Sequence, residues 1–270
     1  MSNVKYYSPI RLTYGMLVVI SSLLKKVIST FKFAKKSSTL PELGTDGFYV
    51  EPAIVSSDNF HDIATINNGF AKTQQLKSVV DGGFRDWTDQ SSTHYLEPGS
   101  SEKQSLVNLL NKSKIISKLS AHHGFEFYCS KANIFKTEAS EDWGSPSTNF
   151  HRDGHPPYTY KLMIYLTDVA NGNGAFAIIP KSVQKLIIPT FGSYSYDRHF
   201  SEKDYAEFSL YGNAGTKILF NNNGLHAGGR TVTGDRVVVT YILKPRFSSS
   251  CDSSLETIDW SVGGREYSIF

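Results

Sequence analysis

Between Phe125 and Leu243 the chain is a series of short, β-rich apolar runs, and this stretch decides what the rest can become. FEFYCSKANIFKT (125–137), YKLMIYLTDV (160–169), GAFAIIP (174–180), KLIIP (185–189), TKILF (216–220) and RVVVTYIL (236–243) are of strand length, with Gly, Asn and Pro between them. No helix-length run alternates with them, which argues against a doubly wound parallel sheet. Helical periodicity comes earlier. Leu106, Leu109, Leu110, Ile116 and Leu119 recur at helical spacing up to Gly124, behind a Ser101-Glu102-Lys103-Gln104 start that resembles a capping box. Gly47–Val55 reads as a first strand, Ser56–Ala64 as a helix start capped by Ser57 or Asp58, and Val79–Ser101 as a long loop. Helices first and then about eight strands predict a mainly β fold with flanking helices, a β-sandwich or jelly roll.

The 270 residues suffice for one large domain, and 40% hydrophobic with 20% charged residues marks a soluble globular chain. A net charge of +3 is too small to call for a nucleic-acid partner. Two cysteines, Cys129 and Cys251, build no disulfide framework and fit a reducing, cytoplasmic compartment. Residues 1–36 form a basic segment with seven Lys or Arg and no acid. Its uncharged run Leu12–Leu24 is 13 residues long, short of the roughly 20 that span a bilayer. Two readings stand for it: an amphipathic helix packed on the domain, or one making peripheral contact with an anionic membrane surface. The expected organisation is this segment, a single domain over 37–250 and a C-terminal tail over 251–270.

The chemistry concentrates in NFHRDGHPP, 149–157. On a strand, residues i and i+2 share a face, so His151 and Asp153 converge on one point. His226, in the Gly-rich turn of FNNNGLHAGGR, is the best third partner. Two imidazoles and one carboxylate on one face of a metal leave positions open, the donor set of non-haem Fe(II) oxygenases. Arg236 opens the next strand and can reach the same cavity to hold a carboxylate. His155 shares the parity of His151, either contacting substrate or lying as a solvated loop residue. Tyr158, Tyr160 and Ile164 are candidates to line the pocket or to be core. Asn133 and Lys136 are candidate cosubstrate contacts. Asp168 and Asn173-Gly174 read as turn residues.

Over about Gly47 to Pro245 the sequence resembles the phytanoyl-CoA dioxygenase-like family of Fe(II)/2-oxoglutarate oxygenases. GTDGFYVEPAIVS is similar to that family's first strand and NFHRDGH to its metal-binding strand. YLTDVANGNGAFAIIPKSVQK and GTKILFNNNGLHAGGRTVTGDRVVVTYIL are similar to its two later signature segments, in the same order. The resemblance implies a double-stranded β-helix core, cupin-like in shape, with Fe(II), 2-oxoglutarate and O2 as cofactor and cosubstrates. It implies hydroxylation of a small molecule at an unactivated C–H bond, with release of succinate and CO2. By position His151, Asp153 and His226 match the iron ligands, and Arg236 matches the arginine that holds the far carboxylate of 2-oxoglutarate. Two departures stand out. Gly228 replaces a common Ser or Thr, and Arg230 replaces a common Asn, so Arg230 either shares the carboxylate or is an exposed turn residue. The intact Asp153 argues against halogenation. The rival readings are a cupin-like metal enzyme that does not use 2-oxoglutarate, and a non-catalytic or membrane-associated binding protein on the same fold.

Overall fold

The structure is a computed structural model that describes residues 39–53, 57–72, 77–78, 93–139, 150–153, 155, 157–181, 195–196, 202–229, 231–246 and 258–260. The basic segment 1–36, the KLIIP run, Arg230 and most of the tail lie outside the described residues.

The helices are α1 (Pro41–Thr45), α2 (Ser57–Lys72), α3 (Ser100–Ser113), α4 (Ile115–His123) and α5 (Glu202–Phe208). The strands are β1 (Phe48–Glu51), β2 (Lys77–Ser78), β3 (Thr93–Leu96), β4 (Phe127–Thr137), β5 (His151–Arg152) and β6 (Tyr160–Tyr165). They continue as β7 (Phe176–Ile178), β8 (Ser195–Tyr196), β9 (Ser209–Leu210), β10 (Lys217–Asn221), β11 (His226–Ala227) and β12 (Arg236–Pro245). A larger sheet runs β1-β10-β6-β12-β4-β3-β2 and a smaller one β8-β5-β11-β7-β9. Every strand pair in them is antiparallel and most neighbours are distant in sequence, the jelly-roll arrangement expected.

Strand alternation separates three layers. On β6, Tyr160, Leu162 and Ile164 face outward and join Leu106, Leu109, Leu110, Ile115 and Leu119 of α3 and α4. Tyr241 of β12, also on this face, donates its hydroxyl to Leu106 O at 2.8 Å and ties sheet to helix. Met163 and Tyr165 face inward with Ile218, Phe220 and Val238, against Phe176 and Ile178 of the small sheet. This inner layer is the lumen of the jelly roll. Beyond the small sheet, Ala177, Ile179, Leu225 and Ala227 pack with Tyr205 and Phe208 of α5.

Three local expectations change. The helical stretch is not one helix. Its buried positions run Leu106, Leu109, Leu110, Ser113 and then jump to Ile115 and Leu119, and Lys114 takes φ 53° at the break. The phase slip is the physical reason: a continuous helix could not bury both sets on one side. Nor does Ser101 cap it. Gly99 is the N-cap, and the Ser101 hydroxyl bonds Glu102 instead. The long loop over Val79–Ser101 contains β3, paired with β4 through Thr93↔Thr137 to Leu96↔Ile134. Part of the tail belongs to the domain, because Asp259 exchanges backbone hydrogen bonds with Ser130 and Ala132 at 3.1 Å each.

Among the described residues no helix is long and apolar enough to cross a membrane.

Candidate metal centre

β5 and β11 are two-residue strands, and their one register pair is His226↔His151. The imidazoles thus start from facing backbone positions, with ring centroids 4.4 Å apart. Asp153 follows at i+2 and turns the same way. Its Oδ1 lies 3.5 Å from His151 Nε2 and its Oδ2 lies 3.8 Å from His226 Nε2. One donor atom from each residue falls within 4.8 Å of the other two, and all three residues are buried. The short strands are held in place by neighbours: His226 also pairs with Ile178 and His151 with Tyr196.

The donor chemistry suits a cation. His226 Nδ1 lies 2.8 Å from Gly224 O, a contact that fixes the proton on Nδ1 and leaves Nε2 with its lone pair toward Asp153. Burial first, and then the charge of His151, pushes the His226 pKa down to about 3, so the ring is neutral near pH 7. Burial alone would raise Asp153, but the groups around it, the Lys161 ammonium foremost, hold its carboxyl well below the usual range. Lys161 Nζ sits 2.6 Å from Asp153 Oδ2, reaching across from β6 of the large sheet.

Arg236 occupies the far side of the lumen. It opens β12 opposite Thr137 and is 5% exposed. Nη2 donates to Thr137 Oγ1 at 3.2 Å and Nη1 to Gly174 O. Nε meets no partner among the described residues, and the ionisable groups beside it among those residues are the neutral phenols of Tyr165 and Tyr205 rather than a carboxylate. Burial lowers its pKa from the ordinary arginine value. A buried guanidinium without a counter-ion is costly, and a ligand carboxylate would relieve it. Gly174, at φ 72°, has no room for a side chain, since a Cβ there would strike Thr231 and Gly229 O.

The other predicted residues separate by strand parity. Asn133 shares the inward face of β4 with Phe135, and its carbonyl accepts from Thr240 Oγ1 at 3.5 Å. Lys136 does not join it. Three residues on, it lies on the outward face with Ile134 and pairs with Asp235 at 2.7 Å and Glu138 at 2.9 Å. Tyr160 and Ile164 likewise face the helices, and the Tyr160 hydroxyl lies 2.8 Å from His123 Nε2. Tyr158, at φ 62°, packs on the same outer cluster against His123 and Phe125. These three line the helical core rather than the pocket. His155 is 1% exposed, so it is not a solvated loop residue, and its carbonyl accepts from Asn223 Nδ2 at 2.7 Å. Asp168 and Asn173 are turn residues as expected, accepting from Ala214 N–H and donating to Thr233 O. Lys161 was not singled out by its sequence. The available signal was a lysine inside an otherwise apolar strand, at the parity opposite Tyr160 and Ile164.

The sequence profile of the phytanoyl-CoA dioxygenase (PhyH) family matches residues 47–238. No curated protein matches the chain. Among solved structures it is similar to the epimerase SnoN in complex with Fe3+, alpha ketoglutarate and nogalamycin RO. Identity is 12% over 75% of this chain and 80% of that one, with TM-score 0.55. It is similar to the alpha ketoglutarate dependent carbocyclase SnoK from nogalamycin biosynthesis at 15% identity, over 77% of this chain and 83% of that one, TM-score 0.53. A third is EctD from S. alaskensis with 2-oxoglutarate and 5-hydroxyectoine, at 16% identity over 75% of this chain and 73% of that one, TM-score 0.51. At these identities the likeness is one of fold.

Proposed function

The chain belongs to the phytanoyl-CoA dioxygenase family, and on that premise we propose that it is an Fe(II)- and 2-oxoglutarate-dependent oxygenase hydroxylating a small molecule at an unactivated C–H bond. The observation that carries this reading is the buried His151–Asp153–His226 cluster, together with a buried guanidinium, Arg236, that has no carboxylate partner among the described residues. When bound, the iron and 2-oxoglutarate supply the oxidising chemistry, in which O2 is consumed, succinate and CO2 leave, and a C–H bond gains oxygen. This chain's residues do the rest. His151 and His226 offer imidazole nitrogens and Asp153 one negative charge, a one-face donor set that leaves room for cosubstrate and O2. Lys161 holds Asp153 Oδ2, which leaves Oδ1 facing His151. Arg236 receives the far carboxylate of the cosubstrate, with Thr137 and Gly174 O fixing its plane. Met163, Tyr165, Phe176, Ile218, Phe220 and Val238 keep the lumen apolar and exclude water. No side chain is needed as a proton donor or acceptor.

SnoN and SnoK are named as an epimerase and a carbocyclase, outcomes the same residues would serve. Product mass separates them: hydroxylation adds an oxygen, epimerisation changes nothing, and ring closure removes two hydrogens. The test is succinate release from purified protein supplied with Fe(II), ascorbate, 2-oxoglutarate and O2. Release that depends on both Fe(II) and 2-oxoglutarate and disappears in Asp153→Ala supports the proposal. A protein that neither binds nor consumes 2-oxoglutarate refutes it.

A further inference from the structure

One cross-strand row on the inward face of the large sheet is basic. Ile242 of β12 pairs with Lys131 of β4 on one side and with Lys161 of β6 on the other. The residues beside them in sequence, Ala132, Tyr160, Leu162, Tyr241 and Leu243, all belong to the outer, helix-facing cluster. Alternation therefore turns Lys131, Ile242 and Lys161 inward together. Phe220 follows on β10 opposite Lys161, and its ring is 5.1 Å from that of His226. The row thus runs beside the triad, and Lys161 touches it, with Nζ 2.6 Å from Asp153 Oδ2. The next inward row, Asn133, Thr240, Met163 and Ile218, is uncharged, as is the one after it, Phe135, Val238 and Tyr165. Arg236 lies six residues from Ile242 on β12, about 20 Å of strand, so guanidinium and lysines stand at opposite ends of this face. The two lysines differ in access. The Lys131 side chain is 7% exposed and lies 3.7 Å from the carboxylate of Asp259. The Lys161 side chain is 17% exposed, against 6%, 11% and 5% for His151, Asp153 and His226. Beside the triad, Lys161 therefore presents the largest accessible fraction, and it points at the place a metal would take.

An ammonium carries three protons, and Asp153 Oδ2 engages one of them. In the metal-free protein Asp153 also supplies balancing charge. With Asp153 serving a divalent cation, that balance is gone. The dication and a dianionic cosubstrate offset each other, Asp153 offsets one of Arg236 and Lys161, and one positive charge is left over among the described groups. A partly buried charge left unbalanced is costly, and a monoanionic ligand relieves it. We propose that Lys161 is a specificity-determining residue and that the substrate is a small molecule carrying one carboxylate, held by Lys161 beside the metal at the end of the inward face away from Arg236. A phosphate dianion would overshoot the single charge, and an amide or an ammonium would leave it standing. The inference names the substrate class for the oxygenase reading and rests on it for the reaction; the anion site itself rests on Lys161 and the triad.

The test uses the full chain supplied with saturating Zn(II) and 2-oxoglutarate, which allows no turnover. Butyrate, butyramide and butylammonium are the probes, alike in size and different in charge, with binding read by saturation-transfer NMR of the probe. The inference expects butyrate to bind at least about tenfold more tightly than the other two, as a hydrogen bond between charged groups provides. It expects Lys161→Met to lose that preference and Lys161→Arg, which keeps the charge, to retain it. It expects chelator-treated protein, in which Asp153 still balances Lys161, to bind butyrate at least about tenfold more weakly. Butyrate that binds no better than butyramide overturns the inference. So does a preference that survives in Lys161→Met, the mark of a carboxylate sitting on the metal itself. Lys161-dependent binding of methyl phosphate tighter than that of butyrate overturns it as well. Calorimetry of 2-oxoglutarate on the same samples keeps the two readings apart. A Lys161→Met protein that loses 2-oxoglutarate affinity as far as butyrate affinity puts Lys161 on the cosubstrate and overturns the inference. A parent that takes no 2-oxoglutarate yet binds butyrate through Lys161 sinks the oxygenase reading and leaves the anion site standing.

Discussion

Replacing Lys161 by Met separates the metal reading from a merely structural ion pair. Lys161 Nζ and Asp153 Oδ2 are 2.6 Å apart, with side chains 17% and 11% exposed. At an effective dielectric of 20 their attraction is about 6 kcal/mol before desolvation is subtracted. Removing one partner of such a buried pair costs about 3 kcal/mol net, because the other charge stays behind with its strongest counter-charge gone. The neutral His226 ring offers it little compensation. We predict that loss, about 3 kcal/mol, for the metal-free Lys161→Met variant in urea unfolding. With a divalent cation bound, Asp153 has a counter-charge, and the loss shrinks to that of one hydrogen bond, about 1 kcal/mol. The difference of about 2 kcal/mol must reappear as metal affinity, so the variant should bind Zn(II) about 30-fold more tightly than the parent. Urea curves of chelator-treated and Zn(II)-saturated protein, with a competitive chelator titration, measure both sides of the cycle. Equal losses in the two forms, or an unchanged Zn(II) affinity, would refute the reasoning.

Arg236→Met should weaken 2-oxoglutarate binding about 100-fold, the worth of a charge-assisted carboxylate pair, while metal-free stability falls by no more than about 1 kcal/mol because a buried cation with no carboxylate partner among the described residues is lost; calorimetry showing unaltered 2-oxoglutarate affinity would remove Arg236 from the site. Stability of the metal-free protein should decline as pH falls from about 6.5 toward 3, because the unfolded chain takes up a proton at position 226 that the buried ring refuses. His226→Gln should flatten that slope, and a variant with the parental slope would contradict the assignment. Lys136→Met should leave the KM for 2-oxoglutarate unchanged and shift stability by less than about 1 kcal/mol, as its partners Glu138 and Asp235 are surface residues; a tenfold rise in KM would return Lys136 to the pocket.

The triad was legible because its logic is local. His-x-Asp shares a face on any strand, and a histidine in a Gly-rich turn after a strand can come alongside, as the register pair His226↔His151 does. The sidedness of β6 was not legible. Leu162, Met163, Ile164 and Tyr165 are all buried, so hydrophobicity marks neither face and leaves Tyr160 and Ile164 open between pocket and core, when Lys161 and Met163 are the residues that face inward. Asn133 and Lys136 could have been separated from sequence, since an odd spacing cannot share a strand face. The break at Lys114 was also readable, in the slip from Ser113 to Ile115. Strand β3 was hidden because its pairing with β4 is set by tertiary register rather than by its own four residues.

The account turns on what the three buried donors hold. A crystal grown without oxygen in Fe(II) and 2-oxoglutarate, with anomalous data collected at the iron edge, tests that directly. One anomalous peak is predicted about 2.1 Å from Nε2 of His151, Nε2 of His226 and one oxygen of Asp153, with the far carboxylate of 2-oxoglutarate on Arg236. An anomalous map with no peak among residues 151, 153 and 226 at saturating iron would contradict it.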